Sequence, residues 1–458
     1  MEPDLEVRVL VRLPMRQAIR SVSFVPLVLA LAGPLVAQAP QKRGQQLIEV
    51  TRAGPDEMVG CSAAHQNGAT PARNGALFVL VTRATFGKKT GGNPGALLDA
   101  DLELWRSDDG GLTWRRAASA PTSGDGAGSL IPDGDLLACL WSSRQGTPFS
   151  HVFWQRYDPA NDRWLGVPVQ LAEAASSDDQ YHAGDLVRTT DGALVAVFGN
   201  HGMARGPAWT CSWSTGMRWL KAGAAATEWS PVVQANVNDY GCMASALARG
   251  SLVDITYRTN PGEAIHGLRT VDGTTGTFAQ ETDENVGPEP GPGQYVANVG
   301  ILCGDGVGGR SLLHMLGDHA PGNGRLVVTW SRPGEPVRTT TIASDPDLVA
   351  GNENPQHFVL ARGPGNQVFA LFGKQSEGFA DLWQCVLEDG QPVGEARVVA
   401  RGEKGAFVSL TGMRCSEVWS GLRVVTLGRT EQHPGGIVSV FGAWPARSVW
   451  NKPVAAAR

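Results

Sequence analysis

The chain has 458 residues, 42% of them hydrophobic, and it is rich in turn formers, with 58 glycines and 29 prolines. Many turns combined with enough apolar material for a core favour an all-β fold and exclude a disordered chain. Only 18% of the residues are charged and the formal net charge is −5. This excludes a broad basic surface for nucleic acid, and it gives no reason to expect an anionic membrane as a partner.

The N-terminal segment has the order of a secretory signal. Two arginines precede the apolar stretch 22–32, and the small-residue sequence AQA follows at 37–39, the pattern that precedes signal cleavage. We therefore predict that residues 1–39 are a signal peptide, whose true start could be Met15. Residues 40–458 are predicted to form one secreted or periplasmic domain. The alternative is a membrane anchor, but the apolar run is shorter than the ~20 residues of a spanning helix, and no later stretch approaches that length.

The seven cysteines form no recognisable metal pattern. Their odd number leaves at least one unpaired, and no Cys-x-x-Cys pair or zinc-like spacing occurs. Cys139 and Cys385 lie in apolar, strand-like runs. We therefore expect buried cysteines that pack as small hydrophobic residues, with room for one disulfide. The stretch 345–354 has the composition of a calcium loop without its pattern, so neither a metal nor another cofactor is predicted.

A glycine turn followed by an apolar strand recurs every 56–59 residues. Each copy has an apolar segment before the turn, the apolar strand after it, a third strand that usually carries an aromatic residue, and a fourth strand. Four short strands cannot bury both faces alone, so the units must stack on one another. The turn glycines are Gly75, Gly134, Gly192, Gly250, Gly309, Gly365 and Gly421.

Radial stacking of such units gives a β-propeller of four-stranded blades. The seven glycines favour seven blades, and six remain possible if a terminal copy is incomplete. The segment 47–50 (LIEV) is placed to pair with the last blade and close the ring, which would protect its edges. The predicted third-strand aromatics are Trp105, Trp154, Trp209, Trp330, Trp383 and Phe441.

One turn carries a specific motif, the sequence SDDGGLTW at 107–114. It fits the Asp-box S-x-D-x-G-x-T-W, and by it the chain resembles the sialidases and other proteins with bacterial neuraminidase repeats, over roughly residues 45–450. Degenerate copies are predicted at 157–164 and 212–219. The motif is structural: the aspartate caps the turn, glycine supplies unusual backbone angles and tryptophan wedges between blades. The residues assigned to this role are Ser107, Asp109, Gly111, Thr113 and Trp114.

The resemblance also implies which face carries the site. In sialidase-like propellers the beginnings of the first strands and the loops between second and third strands surround the central channel. Aligned on the turn glycines, the first strands here begin at His65, Asp125, Tyr181, Tyr240, Asn298, Asn354 and Thr411. Loops are polar by default, but that alone would not concentrate histidine and tyrosine on this face. The predicted substrate-binding residues are His65, Arg144, Tyr181, His182, His201, Arg258, His319 and Arg429.

The activity implied by the resemblance is that of a secreted exo-α-sialidase, a glycoside hydrolase that removes a terminal acidic sugar. Arg144, Arg258 and Arg429 would bind the sugar carboxylate through paired N–H donors. The family uses a tyrosine nucleophile assisted by a glutamate. The candidate catalytic residues are Asp99 as proton donor and Tyr240 or Tyr257 with Glu263 as nucleophile.

Two departures from the family keep other functions open. No Arg-Ile-Pro sequence occurs, and His65 stands where its arginine would be. Family sialidases also have six blades. One alternative is a non-catalytic propeller that binds a glycan or a protein through the same face. Another is a lyase on uronic-acid polymers, in which Arg258 would neutralise the carboxylate while a histidine and a tyrosine exchange protons. For either enzyme the partner is a glycan or polysaccharide, and we expect a monomer.

Overall fold

The computed structural model describes most of the chain beyond residue 46. These described residues form strands and turns and no helix, so they include no helix long and apolar enough to cross a membrane. The described ranges are 47–61, 69–87, 97–144, 150–174, 181–200, 214–237, 241–259, 266–282, 284–287, 295–296, 300–317, 324–344, 358–363, 365–376, 379–404, 407–412, 423–430 and 432–442.

The strands form seven antiparallel sheets, numbered here as blades in chain order. Blades 1 and 2 contain β2 (Glu57–Cys61), β3 (Thr70–Pro71), β4 (Leu77–Phe86), β5 (Leu97–Ser107) and β6 (Arg115–Ser119), then β7 (Asp125–Asp133), β8 (Leu136–Ser143), β9 (His151–Asp158) and β10 (Arg163–Ala172). Blades 3 and 4 contain β11 (Tyr181–Arg188), β12 (Leu194–Asn200), β13 (Ser214–Leu220) and β14 (Val233–Gln234), then β15 (Cys242–Arg249), β16 (Leu252–Arg258), β17 (His266–Asp272) and β18 (Glu284–Val286).

Blades 5 to 7 continue the same order. Blade 5 contains β19 (Tyr295–Val296), β20 (Ile301–Gly304), β21 (Arg310–Gly317), β22 (Arg325–Ser331) and β23 (Arg338–Ser344). Blade 6 contains β24 (Phe358–Arg362), β25 (Gln367–Ser376), β26 (Phe379–Glu388), β27 (Gln391–Pro392) and β28 (Arg397–Lys404). Blade 7 contains β29 (Phe407–Gly412), β30 (Arg423–Gly428), β31 (Ile437–Gly442) and the N-terminal β1 (Ile48–Arg52).

The seven blades form a ring. The first strand of each blade contacts the first strand of the next, and blade 7 contacts blade 1 in the same way. The chain is therefore a seven-bladed β-propeller, as the repeat predicts. We call the channel end where the first strands begin the mouth, and the opposite end, with the glycine turns, the base.

Ring closure depends on pairing between the two ends of the described chain. β1 lies antiparallel to β31, with Ile48 opposite Val440 and Arg52 opposite Ile437. This confirms that the predicted segment 47–50 completes the last blade. Without it, β31 would present an unpaired edge to solvent.

The glycine turns occupy equivalent hairpins between the first and second strands. Gly75, Gly134, Gly192, Gly250 and Gly365 all have positive φ, between 62° and 92°, which a side chain disfavours. In blade 5 the same hairpin contains Gly309, but Gly306 and Gly308 take the positive φ there. Gly421 lies outside the described residues.

The first strands of adjacent blades are linked by side-chain hydrogen bonds. In each case a polar side chain on one blade bonds the backbone of the next, which satisfies polar groups on a strand that has a sheet partner on one side only. The bonds are Thr70 Oγ1 to Leu130 O (3.0 Å), Leu186 N to Ser129 Oγ (3.3 Å), Ala246 N to Asp185 Oδ2 (2.5 Å) and Leu302 N to Ser245 Oγ (3.0 Å).

The hydrophobic core lies between the blades as a series of clusters, not as one central core. Trp154 and Trp330 are fully buried in third strands, as predicted, and so is Phe441. Trp105 and Trp383 also lie in third strands, whereas Trp209 is outside the described residues. Cys139, Cys303 and Cys385 are buried as thiols, which confirms burial for the two in strand-like runs.

The Asp-box at 107–114 has the geometry of a capped turn. Asp109 Oδ1 accepts the amides of Leu112 and Thr113 at 3.0 Å, and Oδ2 accepts the Thr113 hydroxyl at 2.6 Å. The Ser107 hydroxyl accepts the Gly111 amide at 2.7 Å, and Gly111 has φ 95°. Although its partial burial favours the neutral form, the bonds from Thr113, Ser107 and Leu112 hold the pKa of Asp109 well below its usual value.

Two details of the predicted register are wrong, and one degenerate copy is right. The turn at 157–164 joins third and fourth strands, where Asp158 caps two amides. Residues 214–219 instead belong to strand β13, so the match at 212–219 is a chance resemblance of a strand to a turn. Thr411 lies near the base end of β29, opposite Val425, and the strand begins at Phe407.

Trp114 lies between two blades and offers a stability test. Its half-buried indole packs on a cluster shared by blades 1 and 7 and donates to Gly111 O at 3.1 Å. Trp114→Ala should therefore lower the free energy of unfolding in urea by about 2–3 kcal/mol, somewhat less than for a fully buried aromatic. Leu112→Ala is the matched control, because Leu112 is 65% exposed in the same turn. A Trp114→Ala variant with normal stability would contradict the wedge.

Candidate functional site

The mouth of the channel is where the first strands begin opposite the ends of the second strands. Asp125 pairs with Ser143 in blade 2, Tyr181 with Asn200 in blade 3, and Cys242 with Arg258 in blade 4. The Asp-box and the glycine turns lie at the base, at the other end of the same strands. The fold thus separates the structural motif from the polar mouth, as the resemblance implies.

Asp125 is the first residue of β7 and is 2% exposed. The Thr122 hydroxyl donates to Asp125 Oδ1, and the Trp141 indole Nε1–H donates to Thr122 Oγ1 at 2.8 Å. Ser143 lies opposite Asp125 in the sheet, with its own hydroxyl donated to Ser123 O at 2.9 Å. A carboxyl group at the mouth is therefore surrounded by protein and oriented by a hydroxyl.

Burial controls the ionisation of Asp125. Removal from water raises the pKa of Asp125 to about 6, even though the hydrogen bond from Thr122 favours the charged form. The negative charge of Asp101 on blade 1 contributes to this value, and hydrogen bonds from the Ser143 side chain and the Leu102 backbone oppose it, as the bond from Thr122 does. Asp125 can thus hold a proton near neutral pH, which a solvent-exposed aspartate does not do.

Arg144 and His182 belong to adjacent blades, Arg144 to blade 2 and His182 to blade 3. Arg144 follows β8, is exposed, and its amide donates to Gly124 O at 3.1 Å, one residue before Asp125. His182, the second residue of β11, is half-buried. Burial, assisted by the positive charge of Arg144, lowers the pKa of His182. The mouth ends of blades 2 and 3 therefore carry a protonatable carboxyl, a cation and an imidazole whose lowered pKa favours its neutral form.

Two predicted tyrosines belong to the core. Tyr257 is completely buried between blades 3 and 4, with its hydroxyl 3.4 Å from Ala235 O. Strand alternation places Tyr257 on the packed face of β16, a position that does not favour its predicted role as nucleophile. Tyr181 is 6% exposed and packs edge-to-face on Phe198 at 6.2 Å, so it supports the mouth through packing.

The remaining described candidates differ in position. Asp99 is exposed on β5, the third strand of blade 1, where its Oδ1 accepts the Ala100 amide at 2.8 Å. Arg258 is 7% exposed at the mouth end of β16, and Arg429 is half-buried just after β30. These two arginines and Arg144 thus lie at the mouth ends of blades 4, 7 and 2 with unequal burial. His65, His201, Tyr240, Glu263 and His319 lie outside the described residues, and their roles stay predictions.

Sequence reasoning did not select two residues that the structure brings forward. Asp125 was placed at a strand beginning, but the burial that shifts its pKa depends on neighbours distant in sequence. His151 begins β9 and is 7% exposed, with Nδ1 accepting the Ala174 amide at 3.1 Å. Third strands also begin at the mouth, and this topological fact would have found it. Across the described residues no His, Cys, Asp and Glu cluster is arranged to hold a metal ion.

Comparison with known proteins finds fold-level likeness alone. No protein-family model matches the sequence and no curated protein matches it. The Penicillium chrysogenum α-L-arabinanase complexed with arabinobiose is 12% identical, covering 87% of this chain and 98% of that one, with a TM-score of 0.43. The propeller domain of the Pyrococcus furiosus Trilobed protease is also 12% identical, covering 88% and 99%, with a TM-score of 0.43. Trypanosoma rangeli sialidase is 12% identical, covering 85% and 60%, with a TM-score of 0.40. Glycosidases and a protease propeller match equally well, so this likeness selects no function.

Asp125 gives a test that needs no substrate. Its pKa rises from 3.8 unfolded to about 6 folded, so its contribution to stability is fully present below pH 4 and is lost as pH rises through 6. Relative to the unmutated protein, Asp125→Asn should gain about 2–2.5 kcal/mol of unfolding free energy between pH 4 and pH 7, since asparagine cannot ionise. Urea unfolding across this range measures the difference.

Asp135→Asn is the control for this measurement. Asp135 belongs to the same blade, but its side chain is 73% exposed, with Arg73 as its partner. Its substitution should change stability by less than about 1 kcal/mol at any pH. Equal pH dependence in the two variants would show that burial does not shift the ionisation of Asp125.

Proposed function

We propose that this protein is a glycan-active hydrolase whose site is the channel mouth around blade 2. One observation carries the proposal. Asp125, with its buried carboxyl, directly follows Gly124, whose carbonyl accepts the backbone amide of Arg144. The charge of Arg144 in turn acts on His182. An acid, a cation and an imidazole thus lie at the mouth ends of two adjacent blades, the end at which a sialidase-like propeller would hold its ligand. The Asp-box is the sequence feature that supports the same class.

Glycoside hydrolysis requires a carboxylic acid that is still protonated at the working pH, so that it can protonate the leaving oxygen. Asp125, with its pKa raised by burial to about 6, meets that requirement. The exposed guanidinium of Arg144 would bind the carboxylate of an acidic sugar. Tyr240 with Glu263 is the proposed nucleophile pair, because the buried position of Tyr257 in the core does not favour attack on a substrate.

The finer proposal is an exo-acting enzyme on a terminal acidic sugar, of sialidase type. We propose that it acts after export, as the signal-like segment 1–39 indicates. Sequencing the N-terminus of the protein secreted by its host would test that export. An N-terminus upstream of residue 37 would contradict cleavage of the segment 1–39, and failure to find the protein outside the cytoplasm would contradict its export.

A lyase on uronic-acid polymers is the second candidate, and one observation favours it. His182 has a lowered pKa beside Arg144, so a neutral imidazole base lies next to a cation able to neutralise a uronate carboxylate. Removal of the acidified C5 proton by such a base produces an unsaturated sugar. Ultraviolet absorbance of the products separates this reaction from hydrolysis, which produces no double bond.

The role of Asp125 as acid can be tested against Asp99. Asp125→Asn should lower kcat on the cleaved glycan by roughly 10²–10⁴-fold, and the activity of the unmutated protein should fall as pH rises above about 6, where Asp125 loses its proton. Asp99→Asn is the control, because it removes an exposed carboxylate of blade 1, and this variant should retain kcat. Release of reducing ends, measured from pH 4 to pH 8, reports both. Loss in the Asp99 variant alone would transfer the acid role to it.

Recognition of an acidic sugar can be tested at Arg144. Arg144→Ala should weaken binding of an acidic glycan by about tenfold or more, through loss of a charge-assisted bond, and leave a neutral glycan unaffected. Arg163→Ala is the matched control, since the Arg163 side chain is 66% exposed at the base end of the same blade. Isothermal titration calorimetry measures each affinity. If the unmutated protein binds no glycan, both enzyme proposals fail and a protein-binding propeller remains.

A further inference from the structure

A chain of three hydrogen-bonding groups leads from the core to the mouth in blade 2. The Trp141 indole can only donate, so Thr122 Oγ1 accepts its proton at 2.8 Å. The Thr122 hydroxyl has one proton of its own, and this is donated to Asp125 Oδ1. The direction of both bonds is thereby defined: indole to hydroxyl, and hydroxyl to carboxyl.

The inner end of this chain is rigid. Trp141 is completely buried, stacked on Phe153 at 6.0 Å and tilted against Trp164 at 5.8 Å. Trp164 is itself anchored by its Nε1–H, which donates to Ser119 O at 2.7 Å. The indole that fixes the Thr122 hydroxyl therefore cannot rotate without disturbing the core between blades 1 and 2.

The bond from Thr122 distinguishes the two oxygens of Asp125. An oxygen that accepts a hydroxyl proton is the less favourable place for an acidic proton, because two protons would then meet between the same pair of oxygens. When Asp125 is protonated, its proton is thus placed on Oδ2.

We propose that Thr122 is a positioning residue: it holds Oδ1 of Asp125 so that Oδ2 carries the proton delivered to the substrate, while Trp141 fixes the direction of its hydroxyl. The inference rests on the proposed function for its catalytic part, although the bonds themselves do not. The step transfers one proton from Oδ2 to the leaving oxygen as the glycosidic C–O bond breaks and the anomeric carbon bonds to the proposed nucleophile. The leaving sugar departs as an alcohol, and Asp125 remains as a carboxylate that Thr122 stabilises.

Other groups also act on Asp125, and hydrogen bonds from the Ser143 side chain and the Leu102 backbone favour its charged form as the Thr122 hydroxyl does. The ionisable group that shifts its pKa from a packed element of the described chain is Asp101 of β5, while Asp125 itself acts on the thiol of Cys139 in β8. Asp101 favours the neutral form of Asp125, and the Cys139 thiol is buried, with its pKa raised far above neutrality by that burial. Arg144 follows β8, and its charge acts on His182 of blade 3.

The test uses Thr122→Val, which keeps the shape and removes the hydroxyl, and Thr122→Ser, which restores it. The pKa of Asp125 is measured by NMR on protein labelled with ¹³C at the aspartate carboxyl carbon, its signal identified by loss in Asp125→Asn. Thr122→Val should raise that pKa by about one to two units, since the lost bond stabilised the carboxylate. Thr122→Ser should restore the original value, and Trp141→Phe should give a smaller shift in the same direction.

Kinetics then tests the positioning role. In Thr122→Val the alkaline limb of kcat should move upward by the same amount, kcat at its optimum should fall about tenfold, and KM should be unchanged. A folded Thr122→Val protein with an unmoved Asp125 pKa overturns the inference, and so does a Thr122→Ser variant that does not restore it. If the pKa moves as expected but the unmutated chain cleaves no glycan, the proposed function fails while the hydrogen-bond assignment stands.

Discussion

Pairing of β1 with β31 is the interaction on which the rest of this propeller depends. A four-stranded blade buries apolar side chains on both faces only if it has a neighbour on both sides, and a linear stack always leaves two blades without one. By adding its first strand to the last blade, the chain converts seven such units into a closed ring. The cluster between blades 1 and 7, which includes Val50 of β1 and Val440 of β31, exists because of this closure.

Within the closed ring, different interactions secure different depths. Side chains such as Ser129 and Ser245 link neighbouring first strands beside the channel. Toward the base, ion pairs join successive blades, as Arg188 of blade 3 does with Asp133 of blade 2 at 3.1 Å. Capped turns add local order there, including the turn after Asp272, which caps Thr274 and Thr275 without any Asp-box sequence. Capped turns and ion pairs thus lie at the base, whereas the polar side chains of the candidate site lie at the mouth.

The candidate site follows from that division. Inner strands begin at the mouth, so a residue such as Asp125 is held by the sheet at that end and is enclosed by the neighbouring blade. Burial between blades raises the pKa of Asp125. Apolar packing in the same interface offsets the free-energy cost of removing this carboxyl from water. The neutral, half-buried His182 and the exposed Arg144 lie on the adjoining interface. Two neighbouring blade interfaces therefore present an acidic side chain and basic side chains at the same end of the propeller.

The sequence by itself predicted a propeller with seven blades favoured, the closing strand and the glycine turns, and it contains a match to the Asp-box, because each depends on residues close together along the chain or on a regular repeat. The strand register was less secure: the 212–219 match and the position of Thr411 failed, since a loop of variable length shifts every later residue. Only the tertiary structure decided which polar residues could act. Tyr257 and Asp125 are indistinguishable as candidates in sequence, yet one faces the core and the other begins an inner strand at the mouth. Orientation across a pleated strand and desolvation by neighbouring blades are properties of packed sheets, and they arise only when distant segments meet.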